Sequence, residues 1–158
     1  MHGRKKDVPY HVDYVDDWVG EQIGITDWFE IDQARIDAFA DATKDHNPLH
    51  VDPTVAKEGP FGVTVAHGFL TLSLLSFFSY EAALQPGGTT FGINYGFDRV
   101  RFMAPVKVGD RVRNRTILSS YSRLSPKSWV FKTRNTVEIE NQPKPALVAN
   151  WLGMYVKE

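Results

Sequence analysis

Cysteine is absent from the 158-residue sequence. Disulfides, thiolate metal sites and a cysteine nucleophile are therefore excluded, and a reducing compartment is permitted. Charge of one sign is also lacking: the formal net charge is −1, so no general field gathers nucleic acid. Neither a G-x-G-x-x-G run nor a P-loop occurs, which removes two common glycine-rich phosphate cradles. A long uninterrupted apolar run is missing too. The most apolar stretch, roughly 67–84, carries Thr71, Ser73, Ser76, Ser79 and Glu81 and falls short of the ~20 mainly apolar residues of a membrane span. It reads as a buried core helix. The basic residues Arg4, Lys5 and Lys6 are followed by Asp7, Pro9, Tyr10, His11 and Asp13 instead of the apolar core of a signal peptide. The expected location is the cytoplasm. Residues 1–13 lack periodicity and are expected to form a mobile, disordered arm.

What is present suits one domain over residues 14–158. With 42% hydrophobic and 13% aromatic residues, a sizeable core is available. Gly20 and Gly24 punctuate a segment whose end, Trp28-Phe29-Glu30-Ile31, is strand-like, and Asp32 then fits a helix N-cap. Ile36, Phe39, Ala40 and Thr43 fall at i, i+3, i+4 and i+7, predicting an amphipathic helix over 33–43. Pro53, Gly59, Pro60 and Gly62 mark a loop with a short helical turn at 54–57. A long helix runs from Gly68 to about Leu84, apolar on nearly every face, so both of its sides should be covered.

After Gly88 the period becomes two. Residues 91–103, 111–121, 128–140 and 146–156 read as long antiparallel strands; in the third, Trp129, Phe131, Asn135, Val137 and Ile139 oppose Lys132, Arg134 and Glu138. The fold class is α+β, with a curved antiparallel sheet around the long helix. One helix cannot cover both faces of such a sheet, so an uncovered face or edge is a candidate for subunit pairing.

Chemistry concentrates in Asp45-His46-Asn47-Pro48-Leu49-His50 and Ala66-His67-Gly68. Pro48 keeps the first stretch from being a regular helix, and a turn can bring Asp45 and His50 together. The competing reading makes Asp45 a turn cap and His50 a structural histidine. A metal could draw on Asp45, His46, His50, Asp52 and His67, but Pro48 interrupts the i, i+4 histidine pair, and no metal site is expected. Gly68 at a helix start either permits close packing or offers its N–H to an oxyanion. Ser73 and Ser76 lie in no G-x-S-x-G elbow. Arg99, Arg101, Arg111, Arg113 and Arg115 could meet phosphates or simply form a solvated strand face.

These two stretches resemble the MaoC-like, (R)-specific enoyl-CoA hydratase/dehydratase family. Thr26-Asp27-Trp28, Phe39-Ala40-Asp41-Ala42-Thr43 and Asn94-Tyr95-Gly96 leading to Arg99-Val100-Arg101-Phe102 are similar to its nodulation protein N-like branch. The resemblance spans about residues 19–156. It implies a hot-dog fold, a homodimer or an assembly of dimers, and an acyl-CoA thioester as partner, with no further cofactor. It implies the hydro-lyase reaction that interconverts a trans-2-enoyl-CoA and an (R)-3-hydroxyacyl-CoA. The roles implied are Asp45 and His50 for activating water, the Gly68 N–H for the thioester oxygen, and Asn47, His67 and Ser76 in support. Phe61, Phe69, Phe91 and Asn94 are candidates for lining the substrate pocket. A hot-dog thioesterase and a non-catalytic acyl-CoA-binding module remain as alternatives. No carboxylate follows Gly68 in the next turns, which counts against the thioesterase.

Overall fold

The Asp32 carboxylate accepts the Arg35 N–H at 2.8 Å and so starts α1 (Gln33–Thr43) at the residue the sequence predicts. These and the following features come from a computed structural model that describes residues 8–158. Lys44 in the left-handed region (φ 63°) ends α1 and turns the chain toward Asp45. Asn47 and Asp52 then cap two short helices, α2 (Pro48–Val51) and α3 (Pro53–Glu58). Each begins with proline at its first position, where the missing N–H costs nothing. The first stretch is thus not a regular helix, as expected: residues 45–47 lie outside helix, and Pro48 begins a short one that the sequence reading did not foresee.

The sheet consists of β1 (Gln22–Ile25), β2 (Phe29–Glu30), β3 (Phe91–Phe102), β4 (Arg111–Ser125), β5 (Ser128–Ile139) and β6 (Leu147–Val156). Its order is β1-β4-β5-β6-β3 with β2 also on β4, and every pairing is antiparallel. Alternation places Val112, Val137, Ile139, Leu147 and Ala149 on the inner face, against Ile36 of α1 and Leu70, Leu74, Leu75 and Phe78 of α4 (Gly68–Glu81). On the outer face, Glu138 receives Arg113 and Arg115 at 2.7 and 2.9 Å. Burial acts to raise that carboxyl, but the two guanidinium hydrogen bonds outweigh it and hold it below the usual range.

A smaller core joins Leu118, Trp129 and Phe131 to Val12 and Val15, which lie on an irregular 3-10 segment (Val12–Trp18). The arm expected over 1–13 falls partly outside the described residues, at 1–7. Nearer the domain, the Val12 N–H donates to Gly87 O at 3.0 Å, and Tyr10 packs edge-on against Phe131. Burial, then the neighbouring Tyr155, pushes the Tyr10 phenol above its ordinary range.

Gly24 lies inside β1 where the register against β4 shifts, and a Cβ there would come within 2.5 Å of Leu84 Cδ2, so a side chain would require Leu84 to move. One sequence expectation, that both sides of the long helix are covered, needs correction. Helix α4 is covered on one side only. Leu70, Leu74, Leu75 and Phe78 are buried, while Phe69 and Tyr80 are 68% and 83% exposed. A single sheet curls around one face of a helix, so the opposite apolar face stays open in the single chain. The edge strand β3 borders that face with most of its residues exposed.

Candidate active site

Three elements meet at the start of α4. The turn after α1 brings Asp45, α2 brings His50, and His67 is the residue before the first turn of α4. Asp45, His50 and His67 each place a ligand-type atom within 4.8 Å of the others. The convergence of Asp45 and His50 that the sequence spacing permits is present.

Hydrogen bonds assign the tautomers. His50 Nδ1 lies 2.7 Å from Val65 O. A carbonyl only accepts, so Nδ1 carries the hydrogen and the neutral ring presents a lone pair at Nε2. His67 Nε2 lies 2.9 Å from the Asp45 carbonyl and donates to it, leaving Nδ1 as a buried acceptor with no hydrogen-bond partner among the described residues. His67 is 2% exposed, stacks on His50 with centroids 3.8 Å apart, and packs against Phe39 with centroids 5.1 Å apart. It therefore fixes the backbone of one candidate residue and the ring of the other. The stack bears on the metal reading: rings inclined at only 29° are poorly placed to aim both in-plane lone pairs at one ion, although the carbonyl hydrogen bond each makes through its other nitrogen is compatible with ligation.

The Asp45 side chain is 57% exposed in the single chain and 4.0 Å from His67 Nε2. The Asn47 N–H approaches its Oδ1 at 3.4 Å, while the Asn47 side chain caps α2 by accepting from Leu49 N–H at 3.0 Å. Asn47 thus shapes the turn. His46 is drawn away to Asp41, at 2.8 Å.

His67 offers no side-chain cap to α4, and the first N–H turned back into the helix is that of Thr71, on His67 O at 3.2 Å. The N–H groups of Gly68, Phe69 and Leu70 consequently have no intrahelical acceptor, and the helix dipole adds partial positive charge there. The packing reading of Gly68 is realised as well: a Cβ would meet the Phe102 ring at 3.1 Å. Gly68, Phe61, Thr71, Phe102 and Val106 line a cavity of about 280 Å³.

The remaining pocket candidates separate. Phe61 is beside Gly68, as above. Ser76, Phe91 and Asn94 line a second cavity of about 350 Å³ toward the end of α4, with Trp151 and Tyr155. Trp151 Nε1–H donates to Asn94 Oδ1 at 2.8 Å. Phe69 lies on the open face of α4, edge-on to Phe102 with centroids 6.1 Å apart. Sequence reasoning missed Val65, because a backbone carbonyl leaves no signature in residue type. It also missed Phe102, whose ring is legible only once Gly68 is known to face it.

A carboxylate, an imidazole with a free lone pair and a helix N-terminus together suit acid/base chemistry next to a carbonyl that develops negative charge. Comparison with known proteins agrees with that chemistry. A family model described as "MaoC like domain" matches residues 16–141. A "Nodulation protein N" of Rhizobium meliloti is 52% identical over 138 residues, covering 86% of this chain and 85% of the relative. A "3-hydroxyacyl-thioester dehydratase Z" of Mycobacterium tuberculosis is 44% identical over 137 residues, covering 87% and 90%. Among solved structures, an unliganded (R)-hydratase of Pseudomonas aeruginosa superposes with a TM-score of 0.69 at 26% identity, covering 89% of this chain and 83% of that one. The chain is thus a hot-dog protein and belongs to the MaoC-like dehydratase family.

Proposed function

We propose that this protein catalyses the reversible, stereospecific addition of water to a trans-2-enoyl-CoA, giving an (R)-3-hydroxyacyl-CoA. The observation that carries the reading is the convergence of Asp45 with a His50 ring whose tautomer leaves Nε2 unprotonated, beside the first N–H groups of α4, which have no intrahelical acceptor. A water held between the carboxylate and Nε2 loses a proton to this pair as its oxygen attacks C3. The electron pair of the C2–C3 double bond moves to C2 and the thioester carbonyl, whose oxygen becomes enolate-like. The Gly68 N–H donates to that oxygen, and the pair returns a proton to C2. Water and thioester are balanced by the hydroxyacyl product, so no external reductant or cofactor is needed. Acid/base assistance typically contributes about 10²–10⁴-fold, and one oxyanion donor about 2.7–4 kcal/mol. The dehydratase relative is named for the reverse direction of this chemistry.

The working form we propose is a cytoplasmic homodimer. The open face of α4, with Phe69 and Tyr80, and the unpaired edge of β3 are what a second copy would cover, and the 57% exposure of Asp45 would fall on pairing. The experiment is an absorbance assay of the conjugated enoyl thioester with crotonyl-CoA and longer homologues, beside a thiol-release assay and sedimentation of the same sample. Loss of absorbance without free thiol, from a species of twice the chain mass, is the expected result. Thiol release would replace hydration by hydrolysis, and a monomer at micromolar concentration would remove the dimer.

A further inference from the structure

Gln33 is the first residue of α1, and the Asp32 cap fixes where its side chain begins. Its amide uses both of its hydrogens and one of the two lone pairs of its oxygen. Nε2–H donates to the His50 carbonyl at 2.8 Å and to Asp37 Oδ1 at 2.8 Å, while Oε1 accepts from the Thr64 hydroxyl at 2.5 Å. Thr64 is 2% exposed. The next residue, Val65, uses its carbonyl to accept from His50 Nδ1 and its N–H to donate to Leu49 O at 3.1 Å.

These bonds close a cycle. From the His50 carbonyl it passes to Gln33, on to the Thr64 hydroxyl, along one peptide bond to Val65, and back to the His50 ring. Backbone and imidazole of the same residue are thereby held at opposite ends of one rigid loop. The Thr64 carbonyl is itself anchored by the Val108 N–H at 3.0 Å, and the Ala66 N–H by Val106 O at 2.8 Å, so the strap is tied to the body of the protein. We propose that Gln33, backed by Thr64, is the positioning residue for His50: the pair sets the tautomer of the imidazole and the direction of its Nε2. The consequence for turnover rests on the hydratase reading above; the consequence for the ring does not.

Only an amide in this orientation closes the cycle. Reversed, its oxygen would confront the His50 carbonyl and the Asp37 carboxylate. A glutamate in its place meets the same two acceptors without a hydrogen to offer. Because misplacing a catalytic group by about 1 Å can cost ~10²-fold, Gln33→Glu and Thr64→Val are expected to lower kcat by roughly 10–100-fold with KM within about twofold. Thr64→Ser keeps the hydroxyl and is expected to restore kcat to within about threefold of the parent.

The experiment combines steady-state kinetics with ¹⁵N NMR of the His50 ring in its neutral form, assigned by comparison with His50→Ala. The parent protein should show the Nδ1–H tautomer, Gln33→Glu and Thr64→Val a mixture with Nε2–H, and Thr64→Ser the parent pattern. A purely structural role would lower the melting temperature and leave both the kcat of the folded fraction and the tautomer unchanged. That result would overturn the proposal. If the parent turns over no enoyl thioester, hydratase activity fails as a reading, and the tautomer comparison alone decides whether Gln33 and Thr64 set the ring.

Discussion

Asp45→Asn is expected to lower kcat/KM for crotonyl-CoA hydration by roughly 10²–10⁴-fold, and His50→Ala by a similar factor. At about 1.36 kcal/mol per tenfold, this is a loss of ~2.7–5.4 kcal/mol of transition-state stabilisation. The asparagine test is clean because His67 bonds to the backbone carbonyl of Asp45, at 2.9 Å, and not to its carboxylate; the turn keeps its anchor when the side chain loses its charge. His50→Ala is less clean, since it also releases the Val65 carbonyl. If both groups act on one water, the double variant should lose little more than either single one, because removing half of a cooperating pair already removes its function. Kinetics on the three proteins, with circular dichroism as a folding control, decide the matter. Single variants that keep more than about a tenth of the parent activity would remove the pair from the mechanism, as would losses that multiply.

Phe78→Ala should have the largest effect on stability. Phe78 is fully buried in α4, with Phe29 edge-on at 6.3 Å and Phe77 at 5.5 Å between ring centroids. Truncating such a ring removes transfer energy and leaves a cavity between helix and sheet that neighbouring strands cannot close. The cost is about 3–5 kcal/mol, against a total of ~5–15 kcal/mol for a typical domain. At roughly 2–4 °C per kcal/mol for a chain of this size, the melting temperature should fall by about 6–20 °C. Calorimetry or urea denaturation with an unchanged slope would measure it. A loss below ~1 kcal/mol would mean that the interior around α4 collapses freely, contrary to the packing described.

Much of the fold was legible because local chemistry and the final structure agree. Asp32 caps the helix it predicts, and the period-two segments after Gly88 are β3 to β6. The failures have physical causes. Pro48 keeps residues 45–47 out of helix as read, but the short helix it begins was not foreseen, because the missing N–H that breaks a helix interior suits its first position. Gly24 was read as punctuation and the register of β1 does shift there, but the close approach of Leu84, sixty residues away, is a further reason that no local pattern shows. The coverage of α4 was misjudged because an all-apolar helix looks the same in sequence whether its second face meets its own chain or another. At the site, the residues with the chemistry could be named from composition and motif. Those that hold them, Val65 through its carbonyl and Gln33 through its amide, could not, since neither residue type is distinctive.

The irregularities in β3 bear on solubility. Its register against β6 shifts between Asn94 and Gly96 and again between Phe97 and Arg99, and Gly96 sits at φ 145°. A straight extended peptide arriving at this exposed edge would keep step for only a few residues before its amides fell out of phase. Asp98, Arg99 and Arg101 would then have to be desolvated as well. Another β3 carries the same interruptions and, turned about a two-fold axis, can present them in matching places. The bulges thus act as a guard: a regular stray strand that would extend the sheet loses register with this edge, and the second copy proposed above is a partner spared that mismatch.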